Sequence, residues 1–358
     1  MSEVLIAGGG PAGLAAAIAL AERGVSVTVA DPVGGATEAR GELLAYGAGA
    51  IVQRLGLGHV LETALPVRDI QSRWGSAGVQ AHGAMPGLGW HGWGMDRAAL
   101  ADAMTARASA LGVTFLAAGV RSCDRSDGVW SVDLSTAAGA HRCSPKFIID
   151  ATGRAAQIAR RHGATARHGP ELVAAVWQVP TTIGDTMQAE AAPEGWWYAV
   201  PLRDSTTVGF VGSASCAKAA SADPDAFLRD ADARLACVAA RAKAKSPRLM
   251  DCRSAILDHT CGAGWLATGD AACAFDPVSS QGLFNALSSG FFAGQAAADA
   301  VAGDADAPKV YEALVKRTAE HTHARTHLQY AALPFDTPFW RYQARGGHEK
   351  HVLREIPA

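Results

Sequence analysis

The sequence has no long apolar run and no cysteine pattern of a disulfide or metal framework. No stretch approaches 18 consecutive apolar residues without a charge, so we predict no transmembrane helix and no membrane partner. Seven scattered cysteines form no Cys-x-x-Cys pair, which favours reduced, mostly structural thiols. The net charge of −2 gives no basic surface for nucleic acid. Because an apolar strand begins near residue 3, leaving no room for a signal peptide, we expect a cytoplasmic protein.

Internal repeats and low-complexity segments are also absent. The composition is that of an ordinary globular protein, with 49% hydrophobic and 18% charged residues. A length of 358 residues reaches the size at which one hydrophobic core usually divides into two. We therefore expect two domains.

The first 31 residues predict a dinucleotide-binding βαβ unit. They read as a strand, a glycine turn, a helix to about Arg23 and a second strand that ends on Asp31. Gly8 permits the tight turn, Gly10 lets backbone N–H groups approach a pyrophosphate, and Gly13 allows close packing of helix on strand. Asp31 is placed to bond a ribose hydroxyl, and the positive helix N-terminus favours phosphates.

The middle of the chain predicts an antiparallel sheet. Four strand-like segments follow one another at residues 172–180, 187–192, 196–202 and 206–211, with turns between them. Elsewhere the patterns predict a helix after Arg40 that extends to about Leu55 and has Leu43 and Leu44 among its apolar positions. They also predict a Gly/Trp loop over residues 87–93 and helices over about 224–241, 281–302 and 307–330.

Three further segments carry a family resemblance. Arg40-Gly41-Glu42-x-Leu44, Asp150-Ala151-Thr152-Gly153, and Gly269-Asp270 with a following Pro277 resemble, in this order, the motifs of FAD-dependent monooxygenases of the single-component hydroxylase fold. This superfamily includes the flavin halogenases. The resemblance implies an α/β protein: an FAD-binding Rossmann-like domain of the glutathione-reductase type, an antiparallel-sheet substrate domain and C-terminal helices.

We expect the FAD-binding domain to be discontinuous. We assign to it residues 1–70, 94–168 and 256–302, to the substrate domain residues 71–93 and 169–255, and to the C-terminal helices residues 303–358.

The resemblance implies FAD as cofactor. The implied cofactor-binding residues are Gly8, Gly10, Pro11, Ala12, Gly13, Asp31, Arg40, Arg97, Asp270, Pro277, Ser280, Gln281, Gly282 and Leu283. Arg40 would pair with the diphosphate and Asp270 with the ribityl chain. Residues 276–283 would bring a helix N-terminus to the flavin pyrimidine edge. The alternatives are a surface salt bridge for Arg40, a cap for Asp270 and an ordinary Ser-capped helix.

Halogenases and hydroxylases differ within this resemblance. Flavin halogenases use a Trp-x-Trp-x-Ile-Pro segment and an early lysine that handles hypohalous acid. Here Tyr198 replaces the second tryptophan, and no lysine precedes Lys146. We therefore favour hydroxylation and keep halogenase and isoprenoid-type flavin reductase as alternatives, with a non-enzymatic maturation chaperone less favoured.

A more specific resemblance concerns flavoproteins that hydroxylate a tryptophan of a partner protein in quinone-cofactor biogenesis. It implies oxygenation of an aromatic ring through a flavin C4a-hydroperoxide, on an aromatic small molecule or a tryptophan-bearing partner protein. Trp196, Trp197 and Tyr198 could form a dry wall for this ring, although strand aromatics more often serve ordinary packing.

Other chemical roles remain unassigned. No catalytic acid or base is identified, and electrons could come from NAD(P)H or from an external reductase. His323 and His327 lie one helical turn apart but have only Glu320 nearby, so we predict a solvated helix face and no metal site.

Overall fold

A computed structural model of the chain describes residues 2–32, 41–75, 80–83, 91–230, 235 and 245–345. The helices in these ranges are α1 (Pro11–Glu22), α2 (Gly49–Arg54), α3 (Gly58–Thr63), α4 (Arg97–Ala110), α5 (Gln157–Arg161), α6 (Ala214–Ala222), α7 (Pro224–Asp230), α8 (Gly282–Val301), α9 (Ala307–Ala331) and α10 (Pro338–Ala344). The strands are β1 (Val4–Ala7), β2 (Val27–Ala30), β3 (Gly41–Ala45), β4 (Leu65–Val67), β5 (Asp69–Arg73), β6 (Gln80–Gly83), β7 (Gly92–Asp96), β8 (Thr114–Leu116), β9 (Ala118–Ser126), β10 (Val129–Thr136), β11 (Gly139–Cys143), β12 (Phe147–Asp150), β13 (Ala166–His168), β14 (Val173–Val179), β15 (Thr186–Ala192), β16 (Gly195–Pro201), β17 (Thr206–Gly212), β18 (Arg248–Asp251), β19 (Ala255–Leu257), β20 (Cys261–Gly262), β21 (Trp265–Ala267) and β22 (Cys273–Ala274).

A six-stranded sheet forms the centre of the first layer, in the order β20-β21-β12-β1-β2-β8. Its core strands run parallel, with Val4 of β1 opposite both Val27 of β2 and Phe147 of β12. All four residues of β1 are buried, as expected for a parallel strand covered on both faces. The predicted βαβ unit and the mixed α/β fold are therefore confirmed.

A seven-stranded sheet faces the first layer, in the order β18-β14-β17-β16-β15-β5-β6. Neighbouring strands are antiparallel except for the parallel pair β5 and β15. The four consecutive strands predicted in the middle of the chain correspond to β14, β15, β16 and β17. The limits of the two domains stay a prediction.

Two local predictions are wrong. Leu43 and Leu44, counted among the apolar positions of the predicted helix, belong to β3, and Gly92 and Trp93 of the predicted Gly/Trp loop belong to β7. The two strands pair with each other, with Leu44 opposite Trp93. The pairing joins residues from Gly41 opposite Asp96 to Ala45 opposite Gly92, about 50 positions apart in the chain, which local patterns do not reveal. Residues 33–40 and 84–90, and most of the predicted helix after Asp230, lie outside the described residues.

Helices α1 and α8 pack unusually closely, through small residues. A side chain at Gly290 would overlap the backbone carbonyl of Ala12, and one at Gly294 would lie 2.6 Å from the carbonyl oxygen of Ala16. Both contacts advance by four residues in the same direction, so the two helices run parallel. Since α8 begins eight residues before Gly290 and α1 one residue before Ala12, their N-termini are offset by roughly 10 Å along the axis.

Two further expectations concern membranes and thiols. Within the described residues, helices of the length and apolarity that a membrane crossing requires are missing. Six cysteines fall in the same ranges, and all six are free thiols.

Candidate functional site

A cavity of about 890 Å³ lies between the parallel sheet and the seven-stranded sheet. It opens at the carboxyl ends of β1, β12 and β21, where ligands bind in open α/β sheets. The opposite wall comes from β5, β15 and β16, through side chains such as Ile70, Met187 and Val200. The volume lies in the range of sites for cofactor-sized ligands.

Nine of the predicted cofactor-binding residues line this cavity. They are Gly10, Pro11, Ala12, Arg97, Asp270, Pro277, Ser280, Gly282 and Leu283. Four others, Gly8, Gly13, Asp31 and Gln281, are not among its lining residues, and Arg40 lies outside the described residues. Segments separated by more than 250 residues of sequence therefore meet at one site.

Gly8, Gly13 and Asp31 shape the turn behind the cavity wall. Gly8 has a φ of +109°, and a side chain there would overlap the carbonyl of Ala151. A side chain at Gly13 would overlap the carbonyl of Gly8. The Gly9 N–H donates to the Asp31 carboxylate at 2.6 Å, so Asp31 holds the turn in place. A ribose contact of Asp31 stays a prediction.

Two helix N-termini without side-chain caps meet at the cavity. Neither α1, which starts after Gly10, nor α8, which starts after Gln281, has a side-chain hydrogen bond to its first turn. Apart from the adjacent residues and the helix's own backbone, no atom of the described residues lies within 4 Å of the position that a Cβ would take at Gly10 or at Gly282. The first-turn N–H groups and the positive ends of both helix dipoles are thus available to an anionic ligand. An elongated ligand with negative charge at two places fits this arrangement.

Arg97 adds a positive charge to the cavity wall. Its Nη1 donates to both carboxylate oxygens of Glu42, at 3.1 and 3.0 Å, and Asp96 caps α4 through the Ala98 N–H at 2.8 Å. The Nε of Arg97 is buried and has no hydrogen-bond partner among the residues that the structure describes. A buried donor without a partner in a cavity wall is what an acceptor on a ligand would satisfy.

Asp270 reaches the cavity because its neighbour adopts a conformation suited to glycine. Gly269 has a φ of +59°, and a side chain there would lie 2.6 Å from the Cβ of Ala12. The Gly269 N–H donates to the Ser289 hydroxyl of α8 at 3.1 Å. Asp270 itself is solvent-exposed at the cavity. The turn therefore ties β21 to both α1 and α8.

The aromatic wall contains two of the three predicted aromatics. Trp196 and Tyr198 line the cavity, with ring centroids 5.6 Å apart. Trp197 is 1% exposed and packs on the other face of the sheet against Trp177 and Phe210, at centroid distances of 6.0 and 5.0 Å. The prediction is wrong for Trp197 because consecutive strand residues point to opposite faces. The alternation itself was visible in the sequence.

Sequence reasoning missed Trp74, which lines the cavity and lies edge-on to Trp196 at 5.8 Å between centroids. It also gave no role to Tyr330 of α9, which stacks on Trp74 at 6.5 Å. Neither residue belongs to a sequence motif, because Trp74 is a single tryptophan after a short strand and Tyr330 is a tyrosine in a long polar helix. Only packing brings them together.

Asp150, the first residue of the Asp150-Ala151-Thr152-Gly153 motif, has a structural role. The carboxylate is fully buried and accepts hydrogen bonds from the Thr152 N–H and hydroxyl at 3.0 and 2.6 Å. It also accepts from the N–H groups of Ile158 and Ala159 at 2.8 and 2.9 Å. Asp150 thus fixes the loop whose residues Ala151 and Gly153 line the cavity.

A βαβ unit whose helix opens on a cavity, faced by a second sheet with an aromatic wall, is typical of oxidoreductases with a dinucleotide cofactor. A comparison with family models identifies the family. A family model described as tryptophan halogenase matches residues 78–356, and the chain belongs to this family. The comparison with curated proteins gave no match.

Solved structures share the fold over nearly the whole chain. The myxobacterial chondrochloren halogenase CndH is 20% identical over 96% of this chain and 85% of its own, with a TM-score of 0.85. The peptidyl tryptophan dihydroxylase QhpG is 22% identical over 98% and 80%, with a TM-score of 0.73. The p-nitrophenol 4-monooxygenase PnpA from Pseudomonas putida DLL-E4 is 15% identical over 97% and 93%, with a TM-score of 0.77. At these identities the likeness establishes the fold.

Proposed function

We propose that this protein hydroxylates an aromatic ring as an FAD-dependent monooxygenase. FAD is the cofactor of this oxidoreductase, and we assign its diphosphate to the N-terminus of α1 and its ring to the loop 277–280 before α8. When bound and reduced, FAD would supply the electrons that activate O₂, and O₂ is the source of the oxygen atom that enters the ring.

The observation that favours hydroxylation over halogenation is that no lysine ammonium group lies among the described residues that line the cavity. No lysine occurs before Lys146 in the sequence. Lys146, directly before β12, forms an ion pair with Glu3, directly before β1, at 2.8 Å. This pair lies at the amino ends of the parallel strands, whereas the cavity lies at their carboxyl ends. None of the other lysines that the structure describes lines the cavity. The resemblance to halogenases implies such a lysine, so their halogenating step would lack its acid here.

The cations that do line the described cavity do not replace a lysine. Arg97 is paired with Glu42, and Arg154 donates to the backbone carbonyl of Arg253. A guanidinium keeps its protons at every physiological pH and is a poor general acid. These side chains hold and orient charged groups.

The apolar wall supports transfer to a ring. Ile70, Met187, Val200 and Trp196 line one side of the cavity, and such surfaces exclude water from a reacting centre. We propose an electron-rich ring as substrate, either in a small aromatic molecule or in a tryptophan of a partner protein or peptide. The shared fold with QhpG supports the second source.

The family model favours halogenation as a second candidate function, and one experiment separates the two. The purified protein is supplied with FAD, a reductase or NAD(P)H, and O₂, with and without bromide, on free tryptophan, tryptophan peptides and phenols. We expect products that gain one or two oxygen atoms, independent of bromide, by mass spectrometry. A brominated product would establish the halogenase, whereas H₂O₂ alone with every substrate would refute both.

A further inference from the structure

A buried acidic group lies directly before the loop to which we assign the flavin ring. Asp276 is 8% exposed and has no salt bridge to a cation of the described residues. Its two carboxylate oxygens accept hydrogen bonds from the Tyr330 hydroxyl at 2.8 and 2.9 Å, and Oδ1 also accepts from the Val278 N–H at 3.0 Å. Asp276 therefore joins the loop to α9.

The burial of Asp276 makes its charge unfavourable. Desolvation raises its pKa from 3.8 to about 6, although the bonds from Val278 and Tyr330 partly oppose this. Because the folded pKa is raised, the folded protein holds a proton between about pH 4 and pH 6 that the unfolded chain releases. The contribution of this residue to stability is thus lost as the pH rises through that window. A neutral side chain would avoid the cost of burying this charge.

The loop after Asp276 needs support. Ser280 has a φ of +51° and a ψ of 24°, in the left-handed region that is uncommon for residues other than glycine. Such a conformation persists where the surroundings impose it. Asp276 supplies two of the restraints, because its carboxylate binds the Val278 N–H and its backbone carbonyl accepts from the Ser279 hydroxyl at 2.7 Å.

Tyr330 extends this support to the aromatic wall. Its ring packs against Trp74 and Trp340, at centroid distances of 6.5 and 5.4 Å. Its hydroxyl lies near the indole of Trp196, whose Nε1 is buried and has no hydrogen-bond partner within the described part of the chain. One tyrosine therefore connects the loop, the C-terminal helices and the seven-stranded sheet.

We propose that Asp276 and Tyr330 are a positioning pair that holds the loop 277–280 in its cofactor-binding conformation, and that FAD affinity follows the ionisation of Asp276. The ionised carboxylate offers a charged acceptor to the Val278 N–H and to the Tyr330 hydroxyl, whereas a protonated carboxyl group is a neutral and weaker acceptor, so the restraint on Val278 weakens. This inference rests on the proposed place of FAD.

Other groups near Asp276 keep their protonation state in this range. Burial raises the pKa of Tyr330 and of Cys252, so both stay neutral around pH 6. Trp196 and Trp74 carry no titratable group. A change in FAD affinity that is lost on replacing Asp276 therefore reports on Asp276.

The experiment measures the Kd of FAD for the full-length apo-protein by flavin fluorescence, between about pH 5 and about pH 7.5, with unfolding curves to check folding. With a pKa of about 6 for Asp276 and binding by the ionised form, linkage gives roughly ten-fold tighter binding at the higher pH in the wild type. Asp276→Asn should make the affinity independent of pH over this range. Tyr330→Phe should weaken binding roughly ten-fold at about pH 7.5 through loss of a charge-assisted hydrogen bond.

Tyr311→Phe is the matched control. Tyr311 is another buried tyrosine of α9, but its hydroxyl donates to the backbone carbonyl of Ala267 at 3.1 Å, so its variant should retain the wild-type pH dependence. A wild-type profile in Asp276→Asn, or unchanged binding in Tyr330→Phe, would overturn the positioning pair while FAD binding itself stands. If the folded wild type does not bind FAD at all, the cofactor assignment fails first.

Discussion

At the scale of single residues, Arg97 is held ready for a charged ligand. Glu42 fixes the guanidinium through Nη1, at 3.1 and 3.0 Å, and leaves Nε buried without a partner. A free guanidinium would lose side-chain entropy on binding, whereas one already fixed by a carboxylate loses less. The pair thus prepares a rigid donor in the cavity wall.

Arg97→Lys should weaken FAD binding about ten-fold, because an ammonium cannot hold Glu42 and supply a second planar donor, and the lost bond is worth about 1.5 kcal/mol. The measurement is a fluorescence titration with FAD. Arg54→Lys, at an exposed ion pair with Glu22 of 3.0 Å, is the control and should leave the Kd unchanged. Equal affinities for the Arg97 variant and the wild type would remove Arg97 from the cofactor site.

Some roles of single residues could be predicted from the sequence, and others could not. The glycines of the nucleotide turn could be predicted from the sequence, because their spacing between a strand and a helix has a known geometric cause. The sequence prediction placed Trp197 in the same wall as Trp196 and Tyr198. The two-residue period of a strand puts it on the opposite face of the sheet. The sequence shows that Asp276 precedes Pro277, but it does not predict that Asp276 is buried or that it accepts a hydrogen bond from Tyr330, 54 positions later. Both follow only from packing.

At the scale of elements, the contact between α1 and α8 sets the geometry of the site. Small residues let the two backbones approach, and the parallel register places one helix N-terminus roughly 10 Å beyond the other. Both positive ends then serve the same cavity. A shift of this register would separate the assigned diphosphate and ring positions.

Gly290→Ala should destabilise the protein by about 1–3 kcal/mol, because its new methyl group would meet the Ala12 backbone and overpacking against backbone costs this much. It should also weaken FAD binding by displacing the start of α1. Gly47→Ala, where nothing lies within 4 Å of the added carbon, should stay within about 0.5 kcal/mol of the wild type. Urea unfolding curves compare the two, and equal stabilities would contradict the close approach of the helices.

At the scale of the whole molecule, the cavity belongs to no single segment of the chain. Its lining runs from Gly10 to Gln329, and the parallel sheet, the antiparallel sheet and α9 each supply part of it. A ligand that contacts all of these parts should stabilise the fold as a whole, since binding to the folded state alone adds to the free energy of unfolding.

FAD at 100 times its Kd should add about 2.7 kcal/mol to the stability of the apo-protein, measurable as a rise in the Tm. Riboflavin at the same concentration should give a much smaller rise, because it lacks the phosphates that we assign to the N-terminus of α1. Equal shifts for the two ligands would show that this helix end does not bind the diphosphate.

The sequence by itself determined the βαβ unit, the FAD-type motifs and the four central strands, because glycine turns, helix starts and strand alternation are properties of neighbouring residues. The tertiary structure alone decided that residues 41–45 pair as a strand with residues 92–96, that Trp74 and Tyr330 reach the aromatic wall, and that Asp276 is buried beneath the loop. Each of these depends on contacts between residues far apart in the chain, whose free energy of pairing and burial outweighs local preference.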